Sequence, residues 1–115
     1  MALKRYLTEM GMGVDVHGGD YTKAAQRAVS DAIRHSSINF FPHIDKQKQD
    51  MRLVVKVGAQ QPEQIDTRLV AEAFPYGQVE VQCEVGGLDV PAENTQDLMV
   101  IVNVAVLVCF EEEGE

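Results

Sequence analysis

The sequence predicts an α+β protein: a two-layer sandwich with two helices on one face of a mainly antiparallel sheet of four to five strands. Three observations predict it. Residues 21–35 carry an apolar stripe at helical spacing. Residues 78–85 alternate strictly between apolar and polar, as in a strand with one dry and one wet face. Residues 98–110 form the longest apolar run, rich in valine, and read as a strand covered on both sides. A length of 115 residues suits one domain, here 1–110, followed by an acidic tail over 111–115.

Taken in order, residues 3–10 fit both helical and strand spacing. The glycines that follow, and the capped helix after them, favour strand, loop, helix. The loop is Gly11-Met12-Gly13-Val14-Asp15-Val16-His17-Gly18-Gly19. Asp20 then supplies an N-cap for the helix over 21–35, because its carboxylate can accept backbone N–H groups left unbonded in the first turn. The stripe of that helix, Ala24, Ala25, Ala28, Val29, Ala32 and Ile33, is mostly alanine. Such a helix can lie very close to whatever it covers.

Within the ambiguous stretch 38–44, residues 38–41 read as a short strand or a loop plug ended by Pro42, and residues 46–50 as a polar turn. Residues 51–57 are a strand of β-formers closed by Gly58. Pro62 and Glu63 open a second helix, with Ile65, Leu69, Val70, Ala73 and Phe74 as its buried stripe and Pro75 and Gly77 as its stop. In the strand 78–85, Val79, Val81, Cys83 and Val85 face the core, and the pattern suggests antiparallel pairing. Gly86-Gly87 breaks it. In the strand 98–110, Val100 through Phe110 at every second position line one face, and Ile101, Asn103, Ala105, Leu107 and Cys109 line the other. Two helices cover one face only. Another subunit is the simplest cover for the second, so a homo-oligomer formed through the sheet is expected. Asn103, a polar group in the most apolar strand, would pin that interface or, less readily, touch a ligand.

Composition narrows the function classes. The chain is 45% hydrophobic and 24% charged, with a net charge of −8. That charge argues against a nucleic-acid backbone or an anionic membrane surface as partner. No secretory signal or apolar span of transmembrane length is visible. The two cysteines, Cys83 and Cys109, lie inside strand patterns without CxxC spacing and read as reduced thiols in a cytoplasmic protein.

The glycine-rich stretch is the candidate site. Asp15 and His17 are two apart and share a side in extended chain. They are the candidate catalytic pair, with His17 as acid or base and Asp15 beside it. Gly11, Gly13, Gly18 and Gly19 are candidate ligand-binding positions, where a small polar or anionic metabolite could approach the backbone. The spacing is not that of a dinucleotide site, since position 16 is valine, nor that of a P-loop. A second pair, His43 and Asp45, mirrors the first. Together His17, Asp15, His43 and Asp45 could supply four ligands to zinc or manganese. Without a metal, Glu9, Glu80 or Glu84 would be the better-placed partners of His17. The plain alternative is a structural strand-to-helix turn. No serine or cysteine sits in a nucleophile-elbow motif.

Gly11, Gly13, Asp15, His17 and Gly18 together complete a GxGxDxHG pattern. It resembles the signature of a small family of conserved hypothetical proteins from bacteria and plants. The similarity extends through Val57-Gly58, Pro75-Tyr76-Gly77 and Gly86-Gly87-Leu88. The resemblance supports a site at the motif and implies no cofactor, substrate or mechanism.

Overall fold

The computed structural model describes residues 2–34, 50–75 and 77–112. The segment 38–44, which includes His43, and Asp45 just beyond it lie outside the described residues. The elements run β1 (Ala2–Asp15), α1 (Tyr21–Arg34), β2 (Arg52–Ala59), a 3₁₀ turn (Pro62–Gln64), α2 (Thr67–Ala71), β3 (Gln78–Val85), β4 (Leu88–Pro91) and β5 (Leu98–Glu112). This is the expected α+β architecture: two helices and a mixed five-stranded sheet that does not close into a barrel.

β5 is the centre of the sheet. It pairs antiparallel with β1 along one side and with β2 and β4 along the other, while β3 lies beyond β2. The valine run explains its place, because every second residue from Val100 to Phe110 is buried. The strand continues two residues into the acidic run, and Glu111 forms an ion pair with Arg52 at 2.8 Å. Tyr6 packs edge-on against Phe110, with ring centroids 5.1 Å apart, beside a bulge between Arg5 and Leu7.

Three sequence expectations are corrected. β3 pairs with β2 in parallel rather than antiparallel, because the 3₁₀ turn and α2 cross over the sheet between them. The second helix is shorter than its apolar stripe. Its chain enters through the 3₁₀ turn, then Asp66 accepts the N–H groups of Arg68 and Leu69 and starts a separate five-residue helix. Gly11 and Gly13 belong to β1, not to a loop, since pairing with β5 persists to Asp15.

The reason for that last correction is the alanine stripe. Gly11 and Gly13 face α1, and the helix backbone occupies the space their side chains would take. A β-carbon on Gly11 would fall 2.2 Å from the carbonyl oxygen of Ala28. Ala24, Ala25, Ala28, Val29 and Ala32 are all buried against the sheet. The helix also covers the last part of the outer edge of β1, at Met12 and Val14. Asp31 accepts the N–H of Met12 at 3.0 Å, and Arg27 donates to the carbonyl of Val14 at 2.6 Å. Backbone groups satisfied in this way are closed to further strand pairing at that end of the edge.

Among the described residues, no helix covers the second face of the sheet. Ile101, Ala105 and Leu107 are half-buried there, and Met10 and Met12 are exposed. Asn103 lies on this face and is exposed in the single chain rather than buried.

Candidate functional site

β1, α1, β4 and the start of β5 meet at one end of the sheet. Asp15 ends β1 on the helix-facing side and is buried, with 4% exposure. A buried carboxylate needs compensating partners. Its Oδ2 accepts the N–H of Asp20 at 2.8 Å, and its Oδ1 lies 3.4 Å from Nη1 of Arg27. Asp15 therefore closes the loop that joins strand to helix. Asp20 caps α1 as expected, accepting the N–H of Lys23 at 3.0 Å. Gly18 and Gly19 take φ of 93° and 62°, a region that L-residues with side chains seldom enter.

His17 projects from this loop with its side chain 85% exposed. Its Nδ1 lies 2.8 Å from Oδ2 of Asp97, a residue 80 positions away. The other Asp97 oxygen accepts the N–H groups of Gly18 at 2.8 Å and Leu98 at 2.9 Å. The Gly18 N–H, then His17, then the Leu98 N–H hold the Asp97 carboxyl below its ordinary pKa range. A carboxylate acceptor places the proton of neutral His17 on Nδ1 and leaves Nε2 with the lone pair. That arrangement suits proton transfer at Nε2.

A second pair flanks the helix start. The phenol of Tyr21, the first residue of α1, donates to Oδ2 of Asp89 on β4. Burial, then the hydrogen bond and charge of Asp89, push the phenol up to about 12. The other oxygen of Asp89 is buried without a hydrogen-bond partner among the described residues.

The structure thus separates the residues that the sequence paired. Asp15 binds Asp20 and Arg27, whereas His17 binds Asp97. Glu9, Glu80 and Glu84 lie along β1 and β3, and none of them is the partner of His17. Gly18 and Gly19 are in the loop, while Gly11 and Gly13 lie beneath α1. Among the described residues no group of three or more His, Cys, Asp or Glu side chains is arranged to hold a metal ion. His43 and Asp45, two of the four metal candidates, are not among them. Cys83 and Cys109 are free thiols whose pKa burial raises, which leaves them poor nucleophiles.

Asp97, Asp89, Tyr21 and Arg27 escaped the sequence reading. One signal could have found Asp97. Extending the antiparallel register of β1 and β5 beyond Asp15 and Val100 brings Gly18 opposite Asp97.

No curated protein matches the chain. Among solved structures, an FtsZ-like protein of unknown function from Nostoc punctiforme PCC 73102 is 32% identical, with a TM-score of 0.85. The match covers 97% of this chain and 99% of that one. Over residues 5–108 the sequence fits the model of a family described as conserved hypothetical proteins, Lin0512_fam, and the chain belongs to that family.

Proposed function

We propose that this protein is a homo-oligomer that binds a small polar metabolite at the 15–20 loop and transfers a proton to or from it through His17. The carrying observation is the His17–Asp97 pair. One ring nitrogen is anchored by a carboxylate that two backbone N–H groups hold in place, and the ring itself stands in solvent. Such anchoring is how a general acid or base is oriented. Asp15 serves by closing the loop beneath His17. The carboxylates of Asp15, Asp20 and Asp97 crowd this end of the molecule. The N–H groups of Gly18 and Asp20 are already bonded to two of them. Both features favour a neutral or cationic ligand over an anion.

Self-association through the helix-free face is supported by the exposure of Met10 and Met12, at 72% and 53%, beside the half-buried Ile101, Ala105 and Leu107. Cytoplasmic residence accords with two free thiols. Among the described residues no helix is long and apolar enough to cross a membrane. The solved relative is itself of unknown function, so the reading rests on site geometry.

A second reading has its own support. Asp97 also binds the loop backbone, so His17 could simply help pin the turn. A screen of small polar metabolites by ligand-observed NMR, run on wild type and His17→Asn, separates the two. The first reading expects a compound that binds or reacts with wild type only, while the variant keeps the wild-type Tm and oligomer size. If no compound distinguishes them and His17→Asn lowers the Tm, the loop is structural and the proposal fails.

A further inference from the structure

The helix-free face contains a hollow of about 350 Å³ that is separate from the His17 loop. Its size falls at the small end of the range for small-molecule sites, about 300–1,000 Å³. Met10, Lys56, Gly58, Glu84, Gly86 and Asn103 contribute to its lining. The sequence explains why a hollow forms here. Gly58 ends the β2 row on this face, and Gly86 packs over it. A β-carbon on Gly58 would fall 3.3 Å from the Cα of Gly86, and one on Gly86 would fall 3.0 Å from the Cα of Gly58. The Gly86-Gly87 turn therefore folds against the strand end as a wall, and neither Gly58 nor Gly86 puts a side chain into the space beside it.

Charge gives the hollow its character. Strand pairing sets Lys56 beside Gln82, and Gly58 beside Glu84, with all four on one face. Lys56 and Glu84 thus sit diagonally across neighbouring strands. They form no ion pair with each other or with another described residue. Asn103, opposite Gly58 on β5, contributes an amide with both donor and acceptor. The thioether of Met10 supplies an adaptable apolar wall. One fixed cation, one fixed anion, an amide and an apolar surface border a single small cavity.

We propose that this hollow binds a small zwitterion of the α-amino-acid class. Its carboxylate is held by Lys56, its ammonium by Glu84 and its side chain by Met10. The inference does not depend on the loop reading. A second copy packed on this face would close the mouth of the hollow over the ligand, so assembly and binding are followed together.

The test is an NMR titration of isotope-labelled full-length protein with norvaline, and separately with butylamine and butyrate, which each carry one of its two charges. Hydrodynamic size is recorded in the same samples. Norvaline is expected to shift the backbone signals of Lys56, Gly58, Glu84, Gly86 and Asn103, with affinity in the millimolar range or tighter, while the two single-charge compounds bind at least about tenfold more weakly. Lys56→Ala and Glu84→Gln, both changes at exposed positions, should each weaken norvaline by a similar factor and leave the Tm in place. His17→Asn should leave norvaline binding unchanged, which keeps this proposal distinct from the loop site. Absence of shifts, shifts centred on residues 15–20, equal binding of the three compounds, or indifference to both charge variants would each overturn it.

Discussion

The backbone of Gly13 lies so close to that of Ala24 that a β-carbon at position 13 would fall 2.0 Å from the Ala24 carbonyl oxygen and 2.4 Å from the amide nitrogen of Ala28. These are backbone atoms in mid-helix, so no side-chain rotation relieves the clash. The first two glycines of the motif thus set the distance between α1 and β1. The later glycines shape the loop.

Gly13→Ala should accordingly cost about 3 kcal/mol of folding stability, at the upper end of overpacking penalties, or prevent folding. Ser30→Ala, on the exposed side of the same helix, should change stability by less than about 0.5 kcal/mol. Urea unfolding of both variants checks the contrast. Equal midpoints would show that the helix can lift off the strand at no cost.

Asp97 links stability to acid. Its folded pKa lies below the ordinary 3.8, so the unfolded chain takes up its proton first as pH falls. The resulting stabilisation is fully present above the unfolded value and is lost as pH drops through the folded one. Wild type should exceed Asp97→Asn in urea midpoint at neutral pH, and the gap should close at the acid end. A gap that persists unchanged below pH 3.8 would assign the difference to something other than the carboxylate charge.

Tyr21 links stability to alkali in the opposite sense. Its phenol is raised from 10.0 to about 12, so the unfolded chain loses the proton first as pH rises. The contribution is complete below 10.0 and disappears on approach to about 12. In a phenolate absorbance titration, Tyr21→Phe should remove a step near pH 12. At neutral pH the same variant should lose about 1–3 kcal/mol, since Asp89 would keep neither of its oxygens bonded to a described residue.

Local patterns in the sequence carried most of the architecture. The alanine stripe correctly signalled a helix in close contact, and the valine alternation of β5 correctly grouped the residues that share its buried face, without saying which of its two apolar faces the helices cover. The direction of β3 was not legible, because one-sided burial says which face is dry and nothing about the orientation of the neighbouring strand. Asp66 divided the second apolar stripe because a strong helix cap can act in the middle of an apolar pattern. Gly11 and Gly13 looked like loop residues because the need for glycine came from a helix packed across the strand, not from backbone dihedrals. The hydrogen-bond partner of His17 was hidden for a related reason: it arrives from the opposite end of the chain through strand pairing.

That same pairing places Ala2 beside Glu112, at the end of the β1–β5 ladder remote from the His17 loop. A tensile load applied to these two residues would act across the ladder, parting its hydrogen bonds one pair after another instead of shearing them together. The fold would yield like a zipper under modest force. The junction between Gly18 and Asp97 would be the last part of that seam to open.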